Sequence, residues 1–485
     1  MTTERVLVLG ATGYVGTRLV TSLLQAGYTV RASWRTLSKL ERHSWAYDPK
    51  VEPVAVNMFD RDSLLKACEG SSTVYYLIHS MYHGKDFVQH DRKAAENMVW
   101  AAENTNIKHI IYLSGLGEKN GNLSKHLRSR YEVGKILRSG TVPVTILRAA
   151  MILGAGSVSF EMLRYLTERL PIMIIPRWLR TKSQPIAISN VLKYLIGCLE
   201  TPETSDKSFD ICGPEIITYY DLMRVYAQEA KLIKRFIVSV PVLTPRLSSY
   251  GINLMTPIPV SIIRPLIEGL RSELVCINDD IKDLIPQKLL TNREAIQLAL
   301  SHIDYNLLKT VTKKEYPEFI PEWTQPGDPK WAGGSIYRDH RRVVIESPLE
   351  EVWNSIIKME GEGGYCENLP WQVRGLIDEL IGGIGLRRSR KDSSNLKLSE
   401  FVDCWNVVSL ESQKHLKLYA ELRIPGRATL EFLLKEIDNQ TTEVHQYTTF
   451  IPRGLFGLFY WYGIMPIYGT SLKKSLQKTV ENIGK

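Results

Sequence analysis

The stretch "RVLVLGATGYVG", residues 5–16, narrows the choice of folds more than any other part of the chain. An apolar run ends at Gly10, glycines recur at Gly13 and Gly16, and the amphipathic run "TRLVTSLLQAG" leads into a second apolar segment, "YTVRASWR". Strand, glycine turn, helix, strand is a βαβ unit. In such a unit Gly10 permits the tight turn, Gly13 lets the backbone approach a pyrophosphate, and Gly16 lets the helix lie close to the strand. The helix N-terminus adds amide donors and partial positive charge. The spacing therefore predicts a dinucleotide site, set against the plainer reading of a glycine turn that holds no ligand.

Apolar runs recur as "VEPVAV", "STVYYLI", "HIIYLS" and "VPVTILRAA", separated by helix-compatible stretches such as "DFVQHDRKAAENMVWAAENT". Buried strands alternating with helices predict an α/β fold, a Rossmann doubly wound parallel sheet. Beyond about residue 150 helices dominate, up to the Pro- and Trp-rich "YPEFIPEWTQPGDPKWAGG", which reads as a linker or boundary. The predicted organisation is a nucleotide-binding domain over 1–230, a mainly helical extension over 231–330 and an α+β domain over 331–485. In the last, alternating strands surround a helix that begins at Pro348 after the cap Ser347, and "TSLKKSLQKTVENIG" forms a closing helix.

The chemistry-bearing residues are sparse. The end of the second strand carries Arg31 and Arg35 and no acid, which favours NADP over NAD, because arginine accommodates a 2′-phosphate where an acidic residue would bind ribose hydroxyls. Tyr131 and Lys135 in "SRYEVGK" stand four apart, on one helix face; Tyr305 and Lys309 repeat the spacing elsewhere. The cysteines number six, show no CxxC and read as reduced thiols, with no metal site implied. Lys and Arg give a formal charge of +9 but are spread along the chain, so a nucleic-acid partner is not expected. The first residues enter a strand with no leader pattern, and the reading is a cytoplasmic protein.

The run "GLFGLFYWYGIMPIYGTSL" is broken by Gly457, Gly463, Pro466 and Gly469, which predicts a buried or interfacial helix and leaves peripheral membrane contact open. Its aromatics, Phe456, Phe459, Tyr460, Trp461 and Tyr462, suit core packing or the lining of an apolar cavity. Trp371, Arg374 and the cluster Arg387, Arg388, Arg390 and Lys391 read as a charged surface loop, with a phosphate or acidic-lipid site as the alternative.

The motifs "GATGYVG", "VRASWR", "NMFDRDSL", "IIYLSGLG" and "VPVTILRAA" resemble the atypical and extended short-chain dehydrogenases, especially the NmrA-like branch, over about residues 4 to 220. The chain as a whole is similar to a group of bacterial NAD(P)-binding proteins in which such a domain is fused to a C-terminal domain of unassigned function. That C-terminal part is similar in strand and helix order to START-like helix-grip domains. The resemblance implies that Gly10, Thr12, Gly13, Tyr14, Val15 and Gly16 form the phosphate loop, and that Arg35, with Arg31 beside it, meets the 2′-phosphate. It places Asn57 near the adenine, and Leu77, Ile78 and His79 at the nicotinamide ribose. Tyr131 becomes a proton donor, Lys135 its electrostatic partner and Ser114 the third member, although "LSGLG" has Gly115 and Leu116 where a second serine is common. The implied function is an NADP-dependent oxidoreductase, with NAD as the other cofactor option, acting on a small apolar carbonyl or enone. A non-catalytic NADP(H) sensor or binding module is the alternative, and a peripheral membrane factor a third.

Overall fold

A computed structural model describes residues 5–79, 86–117, 124–240, 255–308, 319–357, 369–380, 382–383, 385, 396–402 and 404–463. Seven strands form the first sheet: β1 (Arg5–Leu9), β2 (Thr29–Trp34), β3 (Val51–Ala55), β4 (Thr73–Tyr76), β5 (His109–Gly115), β6 (Val144–Ala149) and β7 (Ser208–Ile211). They are ordered β7-β6-β5-β4-β1-β2-β3, and every neighbouring pair is parallel. The chain winds outward from β1 through β3, then restarts on β1's other side at β4. That reversal opens a crevice at the carboxyl ends of β1 and β4.

Alternate residues of each strand feed opposite faces. Val6, Val8, Ala32 and Ile111 pack under α1 (Tyr14–Gln25) and α6 (Ile188–Glu200), whereas Leu7, Leu9, Val74 and Tyr112 pack under α2 (Arg61–Cys68), α3 (Phe87–Glu103) and α4 (Lys125–Leu137). The sheet is thus covered on both sides, the Rossmann-like arrangement of a parallel sheet. A third apolar core joins α5 (Val158–Arg169), α7 (Tyr219–Glu229), α8 (Val260–Gly269) and α9 (Asn292–Leu308).

The segment read as a linker or boundary ends where the two units divide, but it is packed into the first of them. Residues 317–334 belong to the same compact unit as residues 1–302, and the reason is a buried ion pair. Arg18 on α1 meets Asp328 at 2.8 Å, with side-chain exposures of 0% and 5%. The same guanidinium donates to the carbonyls of Tyr14, Ala155, Pro321 and Trp323. Nearby, Glu161 accepts from the amides of Gly156 and Gly333, and the Tyr165 hydroxyl donates to the Trp331 carbonyl. A proline-rich sequence signals loss of regular structure, not loss of contact.

The cysteine reading also needs correction. Cys212 and Cys276 are joined in a disulfide with a Cα separation of 6.3 Å. Asp210 at the end of β7 holds the amides of Ile277 and Asn278, which brings Cys276 alongside. A separation of 64 residues carries no spacing signal. Cys68, Cys198 and Cys404 are buried and in no disulfide, and burial pushes Cys68 and Cys198 each up to about 12; Cys366 lies outside the described residues.

The second unit, residues 335–485 with 303–316, holds an antiparallel sheet. Its strands are β8 (Tyr337–Ile345), β9 (Phe401–Val402), β10 (Trp405–Glu411), β11 (His415–Ala420), β12 (Gly426–Asp438) and β13 (Thr441–Pro452), ordered β8-β13-β12-β11-β10-β9. Val352, Trp353 and Ile356 of α10 (Leu349–Ile357) pack on one face, with Leu416, Leu418, Leu430, Phe432 and Val444. The closing helix expected over 470–484 lies outside the described residues, as do Arg387, Arg388, Arg390, Lys391, Lys309 and the side chains of Tyr305 and Trp371. Among the described residues no helix is long and apolar enough to cross a membrane.

Removing the charge of Asp328 strands Arg18 without its buried counter-ion. We expect Asp328→Asn to cost ~3–5 kcal/mol of the first unit's stability in urea unfolding. A cost below ~1 kcal/mol would show that the pair does not fasten the strap.

Candidate functional site

The phosphate loop is shaped by close approach. Gly10 has φ +88, and a Cβ there would lie 3.0 Å from the Leu77 carbonyl oxygen; a Cβ on Gly16 would lie 2.1 Å from the Gly10 oxygen. Only glycine allows α1 to start this near β1 and β4. Gly13 is exposed, occupies the N-cap position with extended backbone, and no side chain caps the helix. With no acid in the first turn, the amides after Gly13 form a ready anion cradle. Thr12 and Val15 are half-buried beside it, and Ser33 Oγ accepts from the Gly10 amide at 2.9 Å, fastening the loop to β2. The Tyr14 hydroxyl turns inward toward Gly154 with Arg18 over its ring, and burial pushes the phenol's pKa up. Position 14 therefore offers the cradle its backbone amide.

The two arginines separate. Arg31 lies opposite Leu7 in the middle of β2, ion-paired to Glu52 at 2.8 Å, and donates to the carbonyls of Ala67 and Glu69 at the end of α2. Its charge is spent on a helix C-terminus, away from the loop, which corrects the reading of Arg31 as a 2′-phosphate ligand. Arg35 is exposed directly after β2, at the loop's end of the sheet. Asn57 follows β3, and its side-chain oxygen accepts from the Phe59 amide at 3.1 Å within its own turn.

Helix α4 carries two i,i+4 pairs, five residues apart and so on faces about 140° apart. Arg130 is buried, and its guanidinium donates to the carbonyls of Ile78 and Leu113, bridging the ends of β4 and β5. The Arg130 carbonyl in turn accepts from Tyr112 and Ser114 hydroxyls at 3.0 and 3.4 Å. His126, one turn back on the same face, has a buried Nδ1 with no partner. His79 keeps solvent access, yet the protein closing around it and the Arg130 charge push its pKa down to about 4; burial, Arg130 and then His79 push His126 to about 3. At neutral pH the described residues of the crevice thus present one fixed cation and two neutral imidazoles.

Tyr131 and Lys135 occupy the adjacent face. With Ser114 they line a cavity of about 120 Å³ that also touches Gly134, Ile146, Arg148 and Ser208, and Lys135 Nζ lies 5.0 Å from the Tyr131 ring centre. Tyr131, Arg138 and Arg148 also line an adjoining cavity of about 500 Å³. No phosphate-loop residue and none of Leu77, Ile78 and His79 lines either space. The structure brings the three expected catalytic residues together, but toward β6 and β7. Beside Ile78 and His79 stand Arg130 and His126, which the sequence reading passed over. Their signal was the same spacing, in "HLRSR".

Residues 2–169 match the model of the NmrA-like family, and residues 331–473 match a family described as a protein of unknown function, DUF2867. The chain is 24% identical over 334 residues to the mitochondrial NADH dehydrogenase [ubiquinone] 1 alpha subcomplex subunit 9 of Arabidopsis thaliana, covering 65% of this chain and 82% of that protein. Against the Dictyostelium discoideum protein of the same name identity is 25%, over 44% of this chain and 61% of the relative, so the chain spans about three-fifths of that relative's length. A stretch of 126 residues is 30% identical to a 3 beta-hydroxysteroid dehydrogenase/Delta 5-->4-isomerase of Mycobacterium tuberculosis, covering 24% of this chain and 33% of that protein. Among solved structures, the Citrobacter sp. triphenylmethane reductase superposes with a TM-score of 0.51 at 19% identity, over 61% of this chain and 99% of that one. This likeness establishes the fold of the first unit.

Both histidines lose proton affinity on folding, so the unfolded state binds more protons between pH 6.5 and about 4, and stability falls as pH drops through that window. In NMR titrations the His79 and His126 rings should show no midpoint above pH ~5, and Arg130→Met should raise both. Midpoints near 6.5 in the intact protein would contradict the buried-cation account.

Proposed function

We propose that the chain is an NADP(H)-dependent oxidoreductase of the atypical short-chain dehydrogenase type, acting on a small apolar carbonyl or enone. The observation that carries this reading is the glycine cradle at the switch point of the sheet, where a Cβ on Gly16 would strike the Gly10 carbonyl. The cradle fits a dinucleotide: the amides after Gly13 would hold the pyrophosphate, Arg35 the 2′-phosphate, Asn57 the adenine, and Leu77, Ile78 and His79 the nicotinamide ribose. A bound NADP(H) supplies or accepts a hydride. Of the described residues in the crevice, Arg130 is the one that answers charge. A carbonyl oxygen gaining negative charge beside Ile78 and His79 meets a guanidinium already fixed by two carbonyls, which needs no reorganisation. His79, neutral and open to solvent, orients that oxygen through a ring N–H, and the proton arrives from water. Tyr131, with Lys135 and Ser114, is the proton donor in the competing arrangement, in which substrate and nicotinamide lie at the side cavity. The C-terminal unit is read as a helix-grip-like module that covers or delivers an apolar substrate.

A second reading, a dinucleotide-binding module without turnover, draws support from the placement of Tyr131 away from the crevice and from relatives named as subunits of a larger dehydrogenase.

NADPH oxidation should be assayed against a panel of carbonyls, enones and quinones. We expect turnover that Arg130→Met lowers roughly a hundredfold in kcat, while Tyr131→Phe changes it less than about threefold. A larger loss in Tyr131→Phe than in Arg130→Met would return the chemistry to the tyrosine. NADPH binding with no turnover across the panel would favour the second reading. Arg35→Ala should weaken NADPH binding roughly tenfold and leave NADH binding unchanged; equal effects on both would remove the 2′-phosphate assignment.

A further inference from the structure

Helix α11 (Leu369–Leu380) is built inside out. A helix on a water-soluble protein buries its apolar stripe and exposes its charges. Here Arg374 is 6% exposed and Asp378 0%, whereas Val373, Leu376, Ile377 and Leu380 are 48%, 60%, 45% and 79% exposed. The inward charges are well provided for. Asp378 accepts from the amides of Arg423 and Gly385 and lies 3.7 Å from Arg374, which donates to the Arg423 carbonyl. The outward residues stand at i, i+3, i+4 and i+7, so they form one continuous apolar stripe.

The neighbouring helix, α12 (454–463), repeats the inversion. Tyr460 turns inward, where it meets Arg374, and Trp461 stacks on Tyr337 and Phe450 at ring separations of 5.0 and 5.6 Å. Phe456, Phe459 and Tyr462 point outward, 60%, 65% and 67% exposed. The aromatic run is therefore divided: part of it is core, and the rest gives α12 an exposed apolar face of its own. Neither helix needs this apolar surface to fold, since its inner face is already engaged.

Positive charge frames the patch. The Arg423 guanidinium lies against Gly382, just past α11; Arg453 directly precedes α12; and Arg427 is close enough to Arg453 for the latter's charge, after burial, to push its pKa down. Contact between two copies through this face would bring these arginines toward their own images. An anionic lipid surface would attract positive charge at this edge, take the aliphatic stripe of α11 at the acyl boundary, and accept the aromatics of α12 at the headgroup level.

We propose that α11 and α12 form a peripheral membrane-docking face that lies in the interface of an anionic bilayer. The test uses the full chain in sedimentation with vesicles of roughly 70% phosphatidylcholine and 30% phosphatidylglycerol, and with phosphatidylcholine alone. We expect binding to the anionic vesicles, weakened by high salt, and reduced roughly tenfold or more by Leu376→Asp with Leu380→Asp and by Phe456→Ser with Phe459→Ser. These side chains are exposed, so both variants should keep the parent melting temperature and dinucleotide binding. Absence of vesicle binding would overturn the proposal, as would binding unchanged in both double variants or equal binding to the neutral vesicles. A dimer in solution that Leu376→Asp with Leu380→Asp converts to monomer would overturn it too, by showing that a second copy covers the face.

Discussion

The position of Arg18 decides much of what surrounds the candidate site. It lies on the first helix, one turn past the phosphate loop, where a buried guanidinium is tolerable only with a counter-ion and carbonyl partners. Asp328 and the carbonyls of Tyr14, Ala155, Pro321 and Trp323 provide these. One side chain thereby fixes the loop's own helix, the turn after β6 and a segment some three hundred residues further along the chain. Breaking it would disturb the start of α1 and the strap together, so the geometry of the anion cradle and the closure of the first unit are one problem.

The parts of the fold set by local chemistry were legible in the sequence. Glycine at positions 10, 13 and 16 has a steric cause acting over a few residues, and the alternating apolar runs have a cause acting over one strand, so both could be read directly. The parts set by long-range pairing could not. The bond between Cys212 and Cys276, the pairing of Arg18 with Asp328, and the use of Arg31 by Glu52 and the end of α2 each depend on which surfaces meet after folding.

The candidate site shows the same division at finer scale. Tyr131 with Lys135 and His126 with Arg130 have identical spacing, and a five-residue offset sends one pair toward β6 and the other toward the ends of β4 and β5. Spacing names the pairs that share a helix face, but the packing of α4 decides which face meets the crevice. The same holds for the C-terminal unit. Sequence pattern alone puts Arg374 in a charged surface loop, whereas it stands buried with Asp378 on α11, whose apolar side is the outer one.

The crevice between β1 and β4, walled by Arg130, is proposed to receive the reactive end of a dinucleotide. A crystal structure of the chain with NADP(H) tests it most directly. The account predicts the pyrophosphate on the amides after Gly13 and the nicotinamide beside His79, with the Arg130 guanidinium as its nearest charged group. A nicotinamide lying against Tyr131 and Lys135, in the space lined by Ile146 and Ser208, would contradict it.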